Sequence, residues 1–136
     1  MAFQCRTSSG SEWDSKLTSR LTGRVIEDDV KIIEIDEEDP STGNFLGTHF
    51  PTGGLIQGAC REGSSTSGHI KFIRRVREGN QTFIFTYEGD FIKDGNRLIT
   101  QGATFTKKLR GREKERDISR AAGEDEGTWN GEKPIT

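Results

Sequence analysis

Gly43-Asn44-Phe45-Leu46-Gly47-Thr48-His49 reads as a short β-strand, with glycines where the backbone must bend and a Thr-His pair at its end that opens to solvent. The stretch sits among short alternating segments with almost no helical pattern, so it points to a small closed β-barrel able to hold a ligand. The ligand is not written in the sequence.

Composition agrees with a barrel. A chain of 136 residues is expected to form one domain and to bury roughly 65 to 70% of its unfolded surface. Only 29% of the residues are hydrophobic and 31% are charged, while 17 are glycine. A thin core with many turns follows, and a barrel needs one inward apolar face per strand. The formal net charge of -2 does not supply the cation excess that phosphate binding draws on, so no nucleic-acid partner is expected. No apolar run is long enough to span a membrane and Met1 to Ser19 lacks the apolar centre of a secretory signal, so the expectation is a soluble, cytoplasmic protein. Cys5 and Cys60 are the only cysteines. Two such distant residues form no disulfide framework and read as reduced thiols. Asn80-Gln81-Thr82 matches a glycosylation sequon, a tripeptide common by chance.

Along the chain, Met1 to Lys16 reads as a polar arm that docks through Phe3 or Trp13, leaving residues 17–136 as a single barrel domain. Strand-like runs follow at Leu21 to Glu27 and Val30 to Asp36. The second carries Val30, Ile32 and Glu34 on one face and Lys31, Ile33 and Ile35 on the other. After the acidic turn Glu37-Glu38-Asp39-Pro40 come Asn44 to Phe50, Leu55 to Arg61, His69 to Val76, Gln81 to Phe91 and Arg97 to Thr106, joined mostly by tight turns. His69 to Val76 sets Ile70, Phe72 and Val76 against Lys71 and Arg75. Phe83, Phe85, Tyr87, Gly89 and Phe91 share a face. These are seven strands of an up-and-down antiparallel meander, and Gly127 to Glu132 supplies an eighth after a charged, partly helix-prone loop at residues 107–126. The fold class is therefore all-β, an eight-stranded antiparallel up-and-down barrel of avidin- or lipocalin-like type.

This spacing resembles the avidin and streptavidin family within the calycin group. Leu21-Thr22-Gly23 and the run after it are similar to that family's first strand, and Gly43 to His49 to its third, where a Gly-Thr-Tyr commonly ends the strand. Thr86-Tyr87-Glu88-Gly89-Asp90-Phe91 is similar to its sixth strand, and Arg97 to Phe105 to its seventh. The resemblance implies the barrel. It does not carry over biotin, because tryptophans wall that ligand and here Val25, Tyr87 and Gly102 stand where they are common, while His49 replaces the usual tyrosine.

The expected ligand-binding residues are Phe45, His49, Phe83, Phe85 and Tyr87, with His49 and Tyr87 as hydrogen-bonding groups and the phenylalanines as walls. The same phenylalanines can instead fill the barrel. Gly47, Gly58, Ala59, Gly89, Gly102 and Ala103 are read as leaving room opposite them. The cationic run Lys107 to Arg116 is interleaved with Glu113 and Glu115, and reads as a solvated loop. No nucleophile elbow, phosphate loop or metal-ligand spacing occurs, so neither a metal nor a cofactor is expected.

The reading is a non-catalytic barrel that binds a small, largely apolar or amphipathic ligand. One rival is a barrel enzyme of cyclase or isomerase type using an acid-base residue, with Glu34 and His49 as weak catalytic candidates. Another is a filled barrel acting as an interaction module, homo-oligomeric through an outward patch of Ile33, Ile35 and Ile84.

Overall fold

A computed structural model of the chain describes residues 11–38, 44–49, 54–62, 67–112 and 120–134, with 11–12, 27–38, 48–49 and 62 described by their backbone alone. Eight strands follow one another: β1 (Ser11–Ser19), β2 (Val25–Glu38), β3 (Asn44–His49), β4 (Gly54–Glu62), β5 (Ser67–Glu78), β6 (Gln81–Asp94), β7 (Arg97–Leu109) and β8 (Asp125–Pro134). Each pairs antiparallel with its neighbour in sequence. β1 also pairs with β8 through Asp14↔Glu132 to Ser19↔Gly127, so the strand order closes on itself as a barrel. Among the described residues no helix is long and apolar enough to cross a membrane.

The all-β class and the count of eight strands agree with the sequence reading, but two assignments behind the count need correction. Residues 11–16, read as part of a polar arm, belong to β1, where Trp13, Ser15, Leu17 and Ser19 are buried and Asp14 and Lys16 are exposed. Two of the inward positions are serines, and that hides the period of two from a hydrophobicity pattern. Conversely, the runs on either side of Asp28-Asp29 are one continuous strand, β2, whose register against β1 shifts at several points. An acidic pair tolerated within a strand looked like a turn. β7 and β8 also extend into the segment read as a charged loop, to Leu109 and from Asp125.

Two hairpins carry the signals that their geometry requires. Gly79 and Gly95, at φ 62° and 60°, open the Gly-Asn pairs that join β5 to β6 and β6 to β7. A left-handed backbone there matches strand twist, and glycine adopts it without steric cost.

Inside the barrel the register stacks side chains in rows. One row runs Phe45, Gly58, Phe72, Tyr87, Phe105, Gly127 and Ser19 across seven strands. Its glycines accommodate the rings beside them: a Cβ on Gly58 would lie 2.5 Å from Phe72 Cβ, and one on Gly127 would lie 2.9 Å from Phe105 Cε1. A Cβ on Gly89 would collide with Ala103 Cβ. Gly102 is exposed, at the interruption of pairing between Ile99 and Thr104. The sequence reading took Gly58, Gly89 and Gly102 as free space. The structure seats Phe72 against Gly58, packs Ala103 against Gly89 and places Gly102 on the outside.

The middle of the barrel is therefore aromatic and close-packed. Phe72 stacks on Tyr87 at 4.4 Å between centroids, and Trp129 meets both edge-on at 5.2 and 5.6 Å. Trp13 packs against Phe91 and Trp129. Offset and edge-to-face contacts of this kind add roughly 0.5 to 1.5 kcal/mol per pair beyond area burial. Trp129 Nε1 donates to Ser15 Oγ at 2.7 Å, which explains why a small hydroxyl occupies an inward position of β1.

Cys60 is buried in this core and is disulfide-bonded, and Cys5 is the only other cysteine in the sequence. This corrects the expectation of reduced thiols.

Candidate ligand-binding site

The row next to the aromatic one has a different chemistry. It runs Gly47, Ile56, Arg74, Phe85, Lys107 and Asp125 from β3 to β8. On β5 the residues Gly68, Ile70, Phe72 and Arg74 are buried in strict alternation. Arg74 thus occupies a core position, with 4% of its surface exposed. Its Nε donates to Tyr87 Oη at 2.6 Å, and its guanidinium lies over the Phe85 ring, 4.2 Å from the centroid. A buried cation is costly unless hydrogen bonds and ring faces replace its hydration, and these contacts do so in part.

Lys107 approaches from β7. Its Nζ stands 4.6 Å from the Phe83 centroid and 5.7 Å from that of Phe85, and pairs with Glu78 at 2.8 Å. The Phe85 ring is therefore shared by two cations on neighbouring strands. Asp125, next in the row, accepts a hydrogen bond from Ser19 Oγ at 2.8 Å.

Residues 120–124, which lead into β8, reach this end. Gly123 sits against Phe83, where a Cβ would lie 2.7 Å from Cζ. Glu124 holds the segment by accepting from the backbone amides of Leu109 and Ala121, both at 2.7 Å, with Arg112 Nε 3.6 Å away. Burial pushes the Glu124 carboxyl up, but the amides of Ala121 and Leu109 and the charge of Arg112 outweigh it and hold the group below its ordinary value.

Of the five expected ligand residues, Phe45, Phe83, Phe85 and Tyr87 are at most 4% exposed. Phe85 and Tyr87 stack at 6.2 Å, and Phe85 and Phe105 at 6.3 Å. Phe45 packs on Phe72 in the row below. The His49 backbone pairs with Gly54 at the end of β3, and its side chain lies outside the described residues. So does that of Glu34, whose backbone pairs with Glu12 and Thr48 while the core residue Trp13 pairs with Ile33.

Arg74 and Lys107 were not singled out as site residues. The signal for Arg74 was present, since any residue between Phe72 and Val76 at even spacing must share their face. Its charge concealed it. Lys107 follows Phe105 by the same rule, and lay within a stretch read as solvated loop.

Of the outward patch expected from Ile33, Ile35 and Ile84, only the Ile84 side chain is among the described residues. Ile84 is only 6% exposed, and Ile33 and Ile35 are placed by their backbone register alone, opposite Trp13 and Gly47. The exposed large apolar residues include Leu46 and Leu55 instead, Leu55 at 62%. Leu55 lines a shallow outer groove of about 110 Å³ with Gln57, Ile73, Arg74 and Arg75. Among the described residues no three His, Cys, Asp or Glu side chains are grouped to hold a metal ion. Comparison with protein families, curated proteins and solved structures finds no match.

Proposed function

We propose that this chain is a non-catalytic binding protein that takes a small amphipathic molecule at the end of the barrel formed by Arg74, Phe85, Tyr87 and Lys107. The observation that carries the reading is the buried guanidinium on Tyr87 and Phe85. Packing alone would be served as well by an apolar residue, since replacing buried charge with well-packed hydrophobic groups is often neutral or stabilising. A polar handle set among rings is what a small-molecule site needs for orientation. Close packing of the rings below confines the ligand to the end of the barrel rather than its full length. An avidin-like architecture is part of the same proposal, supported by the up-and-down strand order, and no biotin site is included. The disulfide at Cys60 favours an oxidising compartment over the cytoplasm.

Native mass spectrometry of purified protein tests this. A retained small molecule, lost on Arg74→Met, is expected; protein that stays ligand-free against a library of small amphiphiles overturns the reading.

A second reading is favoured by the outer groove at Leu55 and Ile73, which suits an interaction module with a filled barrel. Light scattering across concentration checks it. A concentration-dependent dimer abolished by Leu55→Lys would support it, and a monomer at every concentration would remove it.

A further inference from the structure

We propose that the outer groove between β4 and β5 receives an extended acidic segment of a partner protein, added as a strand beside the end of β5 and seating an apolar side chain in the groove. The groove is that of the second reading above, here given an occupant other than a second copy of the chain.

The first observation is where the ladder stops. Among the described residues the pairing of β4 with β5 ends at Ile56↔Arg74. β5 runs on to Glu78 and stays paired with β6 as far as Glu78↔Gln81. In an antiparallel pair the amide and carbonyl groups of alternate residues face away from the partner strand. Between Arg75 and Glu78 these groups face the side that the described part of β4 does not reach. Main-chain groups at such an edge are what an added strand bonds to.

The second is the surface beside that edge. Leu55, Gln57 and Ile73 line the groove together with Arg74 and Arg75. Leu55 is 62% exposed, and Leu46, also exposed, continues the strip through its register with Gln57. Grouped apolar side chains rimmed by polar ones mark an interaction site.

The third is charge. Arg75 and Arg77 occupy the outward positions that follow Ile73 on β5, and both are exposed. No described carboxylate lies within ion-pair distance of Arg75, and Arg77 Nε donates to the Gly79 carbonyl at 3.2 Å. The acids nearby on these strands are engaged elsewhere: Glu78 with Lys107, and Glu88 and Asp90 with His69. A second copy meeting this face through a two-fold axis would set the same cations against each other. An acidic segment meets them favourably. Because side chains alternate along a strand, the apolar residue for the groove and the acid for Arg75 belong at successive outward positions of that segment.

The test adds the blocked peptide acetyl-Thr-Glu-Thr-Leu-Thr-Glu-Thr-amide to the full-length protein and follows the backbone amides by NMR. Shifts at Leu55, Gln57, Ile73 and Arg75 are expected, with slower hydrogen exchange between Arg75 and Glu78. Replacing both glutamates by glutamine is expected to weaken binding about threefold or more, as exposed ion pairs do, and less so in high salt. Replacing the leucine by serine is expected to weaken it about tenfold. Arg75→Glu, a change at an exposed position, is expected to erase the advantage of the acidic peptide. A peptide that shifts none of these amides, that binds no better than its glutamine form, or that leaves exchange between Arg75 and Glu78 unchanged overturns the proposal. So does a dimer that shifts the same amides without peptide, an outcome that leaves the interaction-module reading standing. The retained-ligand measurement above bears on the barrel-end reading alone.

Discussion

Arg74 on β5 and Tyr87 on β6 are bonded through Nε and Oη at 2.6 Å while both side chains are almost wholly removed from solvent. The contact joins the charged row to the aromatic row, since Tyr87 also stacks on Phe72. Tyr87→Phe keeps the ring and removes the acceptor, leaving a buried N–H of Arg74 without that bond. The expected loss is about 1 to 3 kcal/mol in urea unfolding. Arg74→Met in the Tyr87→Phe background is expected to cost less than in the wild type, because the stranded donor disappears with the charge. Strictly additive losses in this double-mutant cycle would mean that the two groups are not coupled.

Seating of rings by glycines gives a second expectation. At Gly58 a methyl group would meet both the Lys71 carbonyl oxygen and Phe72 Cβ, neither of which is the free end of a flexible side chain. Gly58→Ala is expected to destabilise by at least about 1 to 3 kcal/mol, the usual cost of overpacking. At Gly79 there is open space around the Cβ position and only the backbone angle opposes a side chain. Gly79→Asn is expected to cost well under about 1 kcal/mol, since asparagine tolerates that region. Denaturation midpoints of the two variants check the order.

How far the sequence disclosed this arrangement differs between rows. The aromatic face of β6 was legible because Phe83, Phe85, Tyr87 and Phe91 repeat at a period of two with turn residues on both sides. β1 was not, since Ser15 and Ser19 fill inward positions whose neighbours, Trp129 and Asp125, come from the far end of the chain. Arg74 and Lys107 were hidden for a related reason. A hydrophobicity pattern scores a cation as outward, whereas alternation of the backbone fixes its face whatever its charge. Closure itself depends on β1 meeting β8, and no local pattern specifies which distant strands pair.

The disulfide at Cys60 tethers a core strand, so the third expectation concerns reduction. Cross-linking of this kind stabilises mainly by restricting the unfolded chain, typically by about 2 to 4 kcal/mol. Cys60→Ser, or reduction of the wild type, is expected to lower the unfolding midpoint by a corresponding amount. In the absence of reductant, unfolded protein is expected to show no titratable thiol. Two reactive thiols per chain, or an unchanged midpoint after reduction, would contradict the bond or its contribution.

The last expectation concerns pH and lies on the outer face of the barrel. His69 on β5 faces β6, with Nδ1 2.8 Å from Asp90 Oδ1 and Nε2 3.0 Å from Glu88 Oε2. The hydrogen bond to Asp90 does most to raise the His69 pKa above its ordinary 6.5; slight burial opposes this and Glu88 adds to it. A folded-state pKa above the unfolded one means that the protonated ring favours the folded state. Its contribution is therefore complete below about pH 6.5 and fades as pH rises through the folded value. The stability difference between wild type and His69→Gln is thus expected to be larger at pH 5.5 than at pH 8.5, and smaller in high salt because the side chains are half exposed. NMR titration of the two histidines gives the direct check. A His69 pKa at or below 6.5, or a stability difference that grows toward alkaline pH, would show that the two carboxylates do not hold the proton on the ring.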